Sequence, residues 1–355
     1  MALVHQPSPS SQSLTLLPPP PLPALPPSST SDADADKYHL VRLHAASPCR
    51  HELTWEADHP YNFPPSGRAL PRVPCFDGAG TVVLAPSSSP FQPGRDVFFW
   101  VDSDRPGCLA EYTLVKADEM VAVPRGVSLD EAAAAPLSAV TAWQGLFEHG
   151  TLSPPPTSSP SSSAAETETG GGSDSSTVQG NNGKTVLVTG ATGGVGSWAV
   201  QLARLAGATV VTTSSPAKAP LASSLGAHHV LDYANLREEM APWQDRVDLV
   251  LDTVGGEALA QCWRAVKPGE GYILSVSSEA PDDRKPEGLA KTVGKSEWFL
   301  VRNSQPDLAA IANLMGEKKI RSLVDSVFDM CDFEKAFAKL EEGHCTGKVV
   351  IRTRG

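Results

Sequence analysis

The sequence predicts an α/β protein: a doubly wound parallel sheet joined to a smaller β-rich domain. Three observations predict it. The apolar run Thr185-Val186-Leu187-Val188 leads directly into the glycine-rich turn Thr189-Gly190-Ala191-Thr192-Gly193-Gly194-Val195-Gly196. Beyond that turn, strand-like runs alternate with helical segments. Before residue 125 the chain instead carries short strands separated by turn residues.

In chain order, Tyr38 to His44 alternates apolar and polar residues, Gly80 to Leu84 follows Gly78, and Asp96 to Val101 follows Pro93-Gly94. Each reads as a strand of a small β domain. Ser128-Leu129-Asp130-Glu131 then opens a capped helix, and Thr141 to Phe147 forms another. After the glycine turn, Val195, Trp198, Ala199, Leu202 and Leu205 recur at helical spacing until Gly207. Ala208 to Thr213 follows as a second strand, which completes a βαβ unit. Val230 to Asp232, Val247 to Asp252 and Gly271 to Val276 read as further buried strands.

Composition narrows the function. The 355 residues carry a formal net charge of −11 and a pI near 5.3, so phosphate backbones and anionic membranes would be repelled. No nucleic-acid or membrane partner is expected. The six cysteines are scattered without a Cys-x-x-Cys pair, which indicates neither a disulfide framework nor a structural zinc lobe. No signal-peptide pattern, organelle address or long apolar span stands out, so the expectation is a cytoplasmic protein. Two low-complexity stretches, Pro18 to Asp36 and Ser153 to Gly183, lack the apolar residues needed to offset ordering entropy and read as disordered.

The glycine turn carries the chemistry. Small residues let the backbone approach a pyrophosphate, and the first helical turn adds N–H donors and partial positive charge. The second strand then selects the cofactor. An NAD site wants a carboxylate at its end, whereas Thr213, Ser214 and Ser215 stand there with Lys218 beyond, and no acid precedes Asp232. Hydroxyls and a cation suit a 2′-phosphate, so NADPH is the expected cofactor.

At this point the chain resembles the zinc-independent quinone oxidoreductase and enoyl reductase branch of the medium-chain dehydrogenase/reductase superfamily. The resemblance is carried by Val41 to Ser47, Asp77 to Gly80, Gly107 to Tyr112, Ala133 to Leu137 with Thr141 to Trp143, Gly190 to Gly196, Asp252 to Gly256 and Gly343 to Val350. It implies a Rossmann domain over 126–299, interrupted by the insert 153–183, and a GroES-like β-barrel catalytic domain over 1–125 to which 300–355 returns. Met1 to Val4 and Ser13 to Leu16 would be its first two strands.

The resemblance also distributes roles. Gly193, Gly194, Val195 and Gly196 would hold the pyrophosphate, Ser214 and Lys218 the 2′-phosphate, and Tyr233 the adenosine end. Thr253 and Val254 would face the nicotinamide, and Lys348 would reach the cofactor. Cys49 falls where related zinc enzymes have their first ligand. Their Gly-His-Glu segment reads Cys75-Phe76-Asp77 here, and a phenyl ring has no lone pair for zinc, so no metal is expected. The implied reaction is hydride transfer to the C=C bond of an α,β-unsaturated carbonyl or to a quinone, with Tyr61 the candidate proton donor. A homodimer is a common assembly of such reductases. A metal-free carbonyl reductase or alcohol dehydrogenase, and a non-catalytic NADPH-binding regulatory protein, are the alternatives.

Overall fold

The computed structural model describes residues 3–5, 13–17, 38–58, 72–156 and 180–353. The chain opens with β1 (Leu3–His5) and β2 (Thr15–Leu17), which pair antiparallel as a two-stranded sheet. Val4 is fully buried, and its N–H donates to the Leu109 carbonyl at 2.9 Å. Then come β3 (Tyr38–Ser47), the single-turn α1 (Trp55–Asp58), β4 (Asp77–Leu84), β5 (Asp96–Trp100), β6 (Tyr112–Lys116) and β7 (Met120–Ala122).

Ser128 starts α2 (Leu129–Ala133) with a reciprocal cap: its hydroxyl accepts the Glu131 N–H at 3.2 Å while the Glu131 carboxylate accepts the Ser128 N–H at 2.9 Å. Pro136, whose missing N–H costs nothing at a first helical position, opens α3 (Pro136–Trp143). A π-type turn over Gln144–Glu148 continues it.

The central part is a regular alternation of β8 (Thr185–Val188), α4 (Gly194–Leu205), β9 (Thr209–Ser214), α5 (Ala219–Ser224), β10 (His229–Asp232), α6 (Leu236–Glu239), β11 (Leu249–Asp252), α7 (Gly256–Ala265), β12 (Tyr272–Ser275) and β13 (Lys295–Trp298). The chain closes with α8 (Gln305–Gly316), β14 (Val324–Asp329), α9 (Phe333–Glu341) and β15 (Lys348–Arg352).

The strands β8 to β13 form one parallel sheet in the order β10-β9-β8-β11-β12-β13. Parallel sheets are covered on both faces, which is why Val186, Leu187, Val210, Val211, Leu249, Val250 and Leu251 are continuously apolar and buried. Helix α4 contributes Trp198, Ala199, Leu202 and Ala203 from one stripe, all buried. Truncating Leu202 to alanine there would cost about 2–5 kcal/mol. The other large sheet runs β14-β15-β3-β4-β5-β7, with β6 pairing β3 as well. Its core gathers Val41, Leu43, Val97, Phe99, Leu109 and Met120 with Phe333, Phe337 and Ile351 from the C-terminal return.

Two compact units result. One comprises Met1–Thr141, Thr192–Val195 and Val301–Gly355, the other Ala142–Ala191 and Gly196–Leu300. Residues 126–141, expected with the nucleotide-binding domain, lie in the first unit. Ala132 and Ala133 of α2 are buried there, and the Leu137 N–H donates to Asp77 at 2.7 Å.

Residues 157–179 of the insert and all of Pro18 to Asp36 lie outside the described residues. The two flanks of the insert, expected to be disordered with the rest, are instead held together. Buried Asn181 accepts the Ser153 N–H at 2.9 Å, and its amide donates to the carbonyls of Ser153 at 2.8 Å and Ala206 at 2.9 Å. One side chain satisfies backbone groups that the sequence pattern leaves open. No helix among the described residues is long and apolar enough to cross a membrane, and none of the six cysteines is in a disulfide.

Candidate active site

The order of the parallel sheet reverses between β8 and β11, and the ends of those two strands are where such sheets bind ligands. The local structure there is organised by Asp252, which is fully buried. Its Oδ1 accepts the Thr189 hydroxyl at 2.8 Å, and its Oδ2 accepts the hydroxyls of Ser275 at 2.8 Å and Ser277 at 3.2 Å. The N–H groups of Val254 and Gly255 also donate to it. Thr253 closes the set: its N–H donates to Thr189 Oγ1 at 2.8 Å and its hydroxyl to the Thr189 carbonyl at 2.7 Å. Neutral donors alone thus stabilise this carboxylate and fix the turn after β11. Val254 is left 56 % exposed beside the glycine turn.

The glycine turn is as tight as a phosphate loop requires. A Cβ on Gly196 would stand 2.0 Å from the Gly190 carbonyl oxygen, so only glycine lets α4 start this close to β8. The Gly190 N–H donates to Thr213 Oγ1 at 3.0 Å and the Ala191 N–H to the Thr213 carbonyl at 3.1 Å, which ties the turn to the end of β9. The next residue, Ser214, is 5 % exposed, and its hydroxyl has no hydrogen-bond partner. An unmet buried hydroxyl costs about 1–3 kcal/mol, which a ligand acceptor would return. Lys218 ends the short 3₁₀ turn that follows, and Tyr233, 56 % exposed, begins the one after β10. Asp232 is occupied by its own turn, accepting from the Ala234 N–H at 3.0 Å.

In the other unit, Lys348 stands at the start of β15 with its side chain only 5 % exposed. Its Nζ lies 3.2 Å from Asp77 Oδ2 and 3.0 Å from Cys49 Sγ. Burial pushes the Asp77 carboxyl up from its ordinary range, with Lys348 and the Leu137 N–H pulling the other way. Burial also pushes the Cys49 thiol up to about 12. Burial alone would lower the Lys348 ammonium; its contacts with Cys49 and Asp77 outweigh that and push it up. Glu52, 4 % exposed, braces the same region by accepting the N–H groups of Cys49 at 2.8 Å and of Cys75, whose φ of 64° is left-handed. Phe76 is buried and stacks on Trp55, ring centroids 6.1 Å apart.

Comparison with known proteins places this geometry. A family model described as an alcohol dehydrogenase GroES-like domain matches residues 35–125, and one described as a zinc-binding dehydrogenase matches 225–351. A probable zinc-binding mitochondrial oxidoreductase of Arthroderma benhamiae is 35 % identical over 318 residues, 88 % of each chain. A chloroplastic quinone oxidoreductase of Triphysaria versicolor is 30 % identical, again over 88 % of each. The chain belongs to the medium-chain dehydrogenase/reductase superfamily, in its quinone and enoyl reductase branch. It is an NAD(P)H oxidoreductase of that superfamily. The fold agrees with the solved quinone oxidoreductase of Thermus thermophilus, at a TM-score of 0.67 and 24 % identity over 99 % of this chain and 100 % of that one.

Zinc enzymes share this superfamily, so the donors around Cys49 bear directly on metal binding. The Lys348 ammonium stands beside Cys49 Sγ, and Asp77 serves Lys348 and Leu137. Among the described residues no group of three or more His, Cys, Asp or Glu is arranged to hold a metal ion.

Of the residues singled out from this reductase's sequence, Thr253 and Val254 stand at the sheet reversal, and Ser214 and Lys218 lie at and just beyond the end of β9. Gly193 and Gly194 lie with Lys348 in the first unit, where the Gly347 N–H donates to the Thr192 carbonyl at 2.7 Å. Tyr61 lies outside the described residues. Sequence reasoning missed the Asp252 hub, the Glu52 brace and the partners of Lys348. A lone lysine near the C-terminus carries no mark of the aspartate and cysteine it meets hundreds of residues away.

Proposed function

We propose that this reductase uses NADPH, without a catalytic metal, to reduce the C=C bond of an α,β-unsaturated carbonyl or a quinone. The observation that carries the cofactor choice is Ser214: a buried hydroxyl without a partner at the end of β9, where a carboxylate would repel a 2′-phosphate. Ser214 and Lys218 then hold the 2′-phosphate, and Tyr233 lies along the adenosine end. Gly193, Gly194, Val195 and Gly196 present backbone N–H groups to the pyrophosphate. Thr253 and Val254, fixed by Asp252, set the nicotinamide against the end of the sheet. When bound, NADPH supplies a hydride to the acceptor.

Negative charge develops on the acceptor oxygen during reduction, and hydrogen-bond donors aimed at it lower the barrier. Tyr61 is our candidate for delivering the accompanying proton. The metal-free reading is supported by Lys348, whose ammonium fills the place beside Cys49 that a dication would need.

The test combines binding with turnover. Fluorescence titration should give a Kd for NADPH at least tenfold below that for NADH, a difference of about 1.4 kcal/mol. NADPH oxidation screened across quinones, enals and enones should survive chelation, with metal content measured on the same sample. Equal affinity for the two cofactors would overturn the NADPH assignment, and activity that tracks stoichiometric zinc would overturn the metal-free one.

A further inference from the structure

Among the described residues of the parallel-sheet unit, only three large apolar or aromatic side chains are exposed: Tyr233 at 56 %, Val254 at 56 % and Leu300 at 45 %. All three follow the end of a strand, Tyr233 after β10, Val254 after β11 and Leu300 after β13. The strands of this sheet are parallel, so these ends lie along one edge, the edge at which such sheets bind ligands. Tyr233 and Val254 have roles in the reading above. Leu300 has none.

What turns Leu300 outward is local. Phe299 extends the pairing of β13 with β12, its N–H donating to the Ser275 carbonyl at 3.2 Å. Its ring is buried and stacks on His149, centroids 4.4 Å apart. Successive side chains of extended chain point opposite ways, so burying Phe299 leaves Leu300 facing outward. Covering it with an apolar group would be favourable, because apolar surface leaves water.

The order of the strands says what that group is. Along the edge it runs β10, β9, β8, β11, β12, β13. The cofactor lies from its adenosine end at β10 and β9, across the glycine turn after β8, to the nicotinamide at β11. Neighbouring strands are about 4.8 Å apart, so β13 stands about 10 Å beyond β11 on the side away from the adenosine. Between them, the hydroxyls of Ser275 and Ser277 are engaged by Asp252. An acceptor whose β-carbon meets the nicotinamide and whose chain runs on along this edge brings its far end to Leu300.

We infer that Leu300 determines acceptor specificity by holding the apolar tail of the unsaturated carbonyl, so that preferred substrates carry an alkyl or aryl substituent long enough to span from β11 to β13. The inference rests on the reductase reading above and adds to it the class of acceptor.

The test compares the wild type with Leu300→Ala and with Leu300→Met, which keeps an apolar chain of similar volume. Initial rates at saturating NADPH give kcat/KM for but-2-enal, hex-2-enal and dec-2-enal, which differ only in chain length. Thermal melting and gel filtration are run on the same samples. Leu300→Ala should lose about fivefold in kcat/KM on dec-2-enal, the value of covering half a leucine, and less than about twofold on but-2-enal. Leu300→Met should restore the long-chain rate, with melting and oligomeric state unmoved. Equal losses at every chain length would overturn the inference, and so would undiminished activity on dec-2-enal. A changed oligomeric state with chain-length preference intact would also overturn it, by assigning Leu300 to a contact between copies. A wild type that reduces quinones but no enal overturns the inference alone, whereas one that oxidises NADPH with neither overturns the reductase reading as well.

Discussion

Replacing Lys348 by methionine tests whether the buried charge at Asp77 depends on its lysine. The two side chains are 5 % and 0 % exposed and 3.2 Å apart. At an effective dielectric of about 20, that separation corresponds to about 5 kcal/mol of attraction. Removing one partner of a buried pair typically destabilises by about 3–5 kcal/mol, because the remaining charge is left uncompensated. Asp77 keeps the Leu137 N–H, and it has one further escape, which is to take up a proton. Burial already raises its carboxyl above the ordinary range, and loss of Lys348 removes the strongest opposing influence.

A carboxyl whose folded pKa is raised stabilises the fold at low pH and loses that contribution as pH rises through the folded value. Lys348→Met should therefore lose least at pH 5 and most, about 3–5 kcal/mol, at pH 8. Adding Asp77→Asn should restore at least about 2 kcal/mol at pH 8, since the double variant contains no orphaned charge. Urea unfolding followed by tryptophan fluorescence at both pH values reads all three quantities. A single variant within about 1 kcal/mol of wild type at pH 8, or losses that simply add in the double variant, would refute the reasoning.

Three further outcomes follow from the same structure. Ser214→Asp places a carboxylate where the 2′-phosphate would sit, and should shift preference from NADPH toward NADH by about tenfold or more, measured as the ratio of the two Kd values. Gly196→Ala forces a Cβ to within 2.0 Å of the Gly190 carbonyl; opening the turn to relieve that contact should cost about 1–3 kcal/mol, and nucleotide binding retained at wild-type strength would contradict the geometry. Burial pushes the thiols of Cys49, Cys75, Cys108 and Cys262 above the ordinary value of 9.0, so they stay protonated when folded but ionise when unfolded. The thiols' contribution to stability should then be flat below pH 9 and fall above it, by up to about 1.4 kcal/mol per thiol per pH unit. Urea midpoints taken under reductant that do not move between pH 8 and pH 10.5 would sink that expectation.

Elements whose own periodicity reports burial on both faces were readable from the sequence. Thr185–Val188, Thr209–Ser214 and Leu249–Asp252 are continuous apolar or β-branched runs, and the stripe Trp198, Ala199, Leu202 marks α4 without reference to any partner. By contrast β13, Lys295–Trp298, is partly exposed at every position, so its pattern carries no apolar signal and it escaped notice. The boundary at Thr141 was likewise hidden, because the alanines of α2 pack equally well on either kind of neighbour until tertiary contacts choose. The glycines of the turn after β8 were legible because their backbone demand is local. Asp252 and the Lys348 cluster were not, since each acquires its meaning from residues that only the folded chain brings near.

The clasp made by Asn181 separates the parallel sheet from whatever chain lies between its anchor points. Ser153 and Asn181 are fastened to one another and to Ala206, so the start of β8 is held by one side chain. The geometry with which the chain enters β8 is thus set by the hydrogen bonds of Asn181.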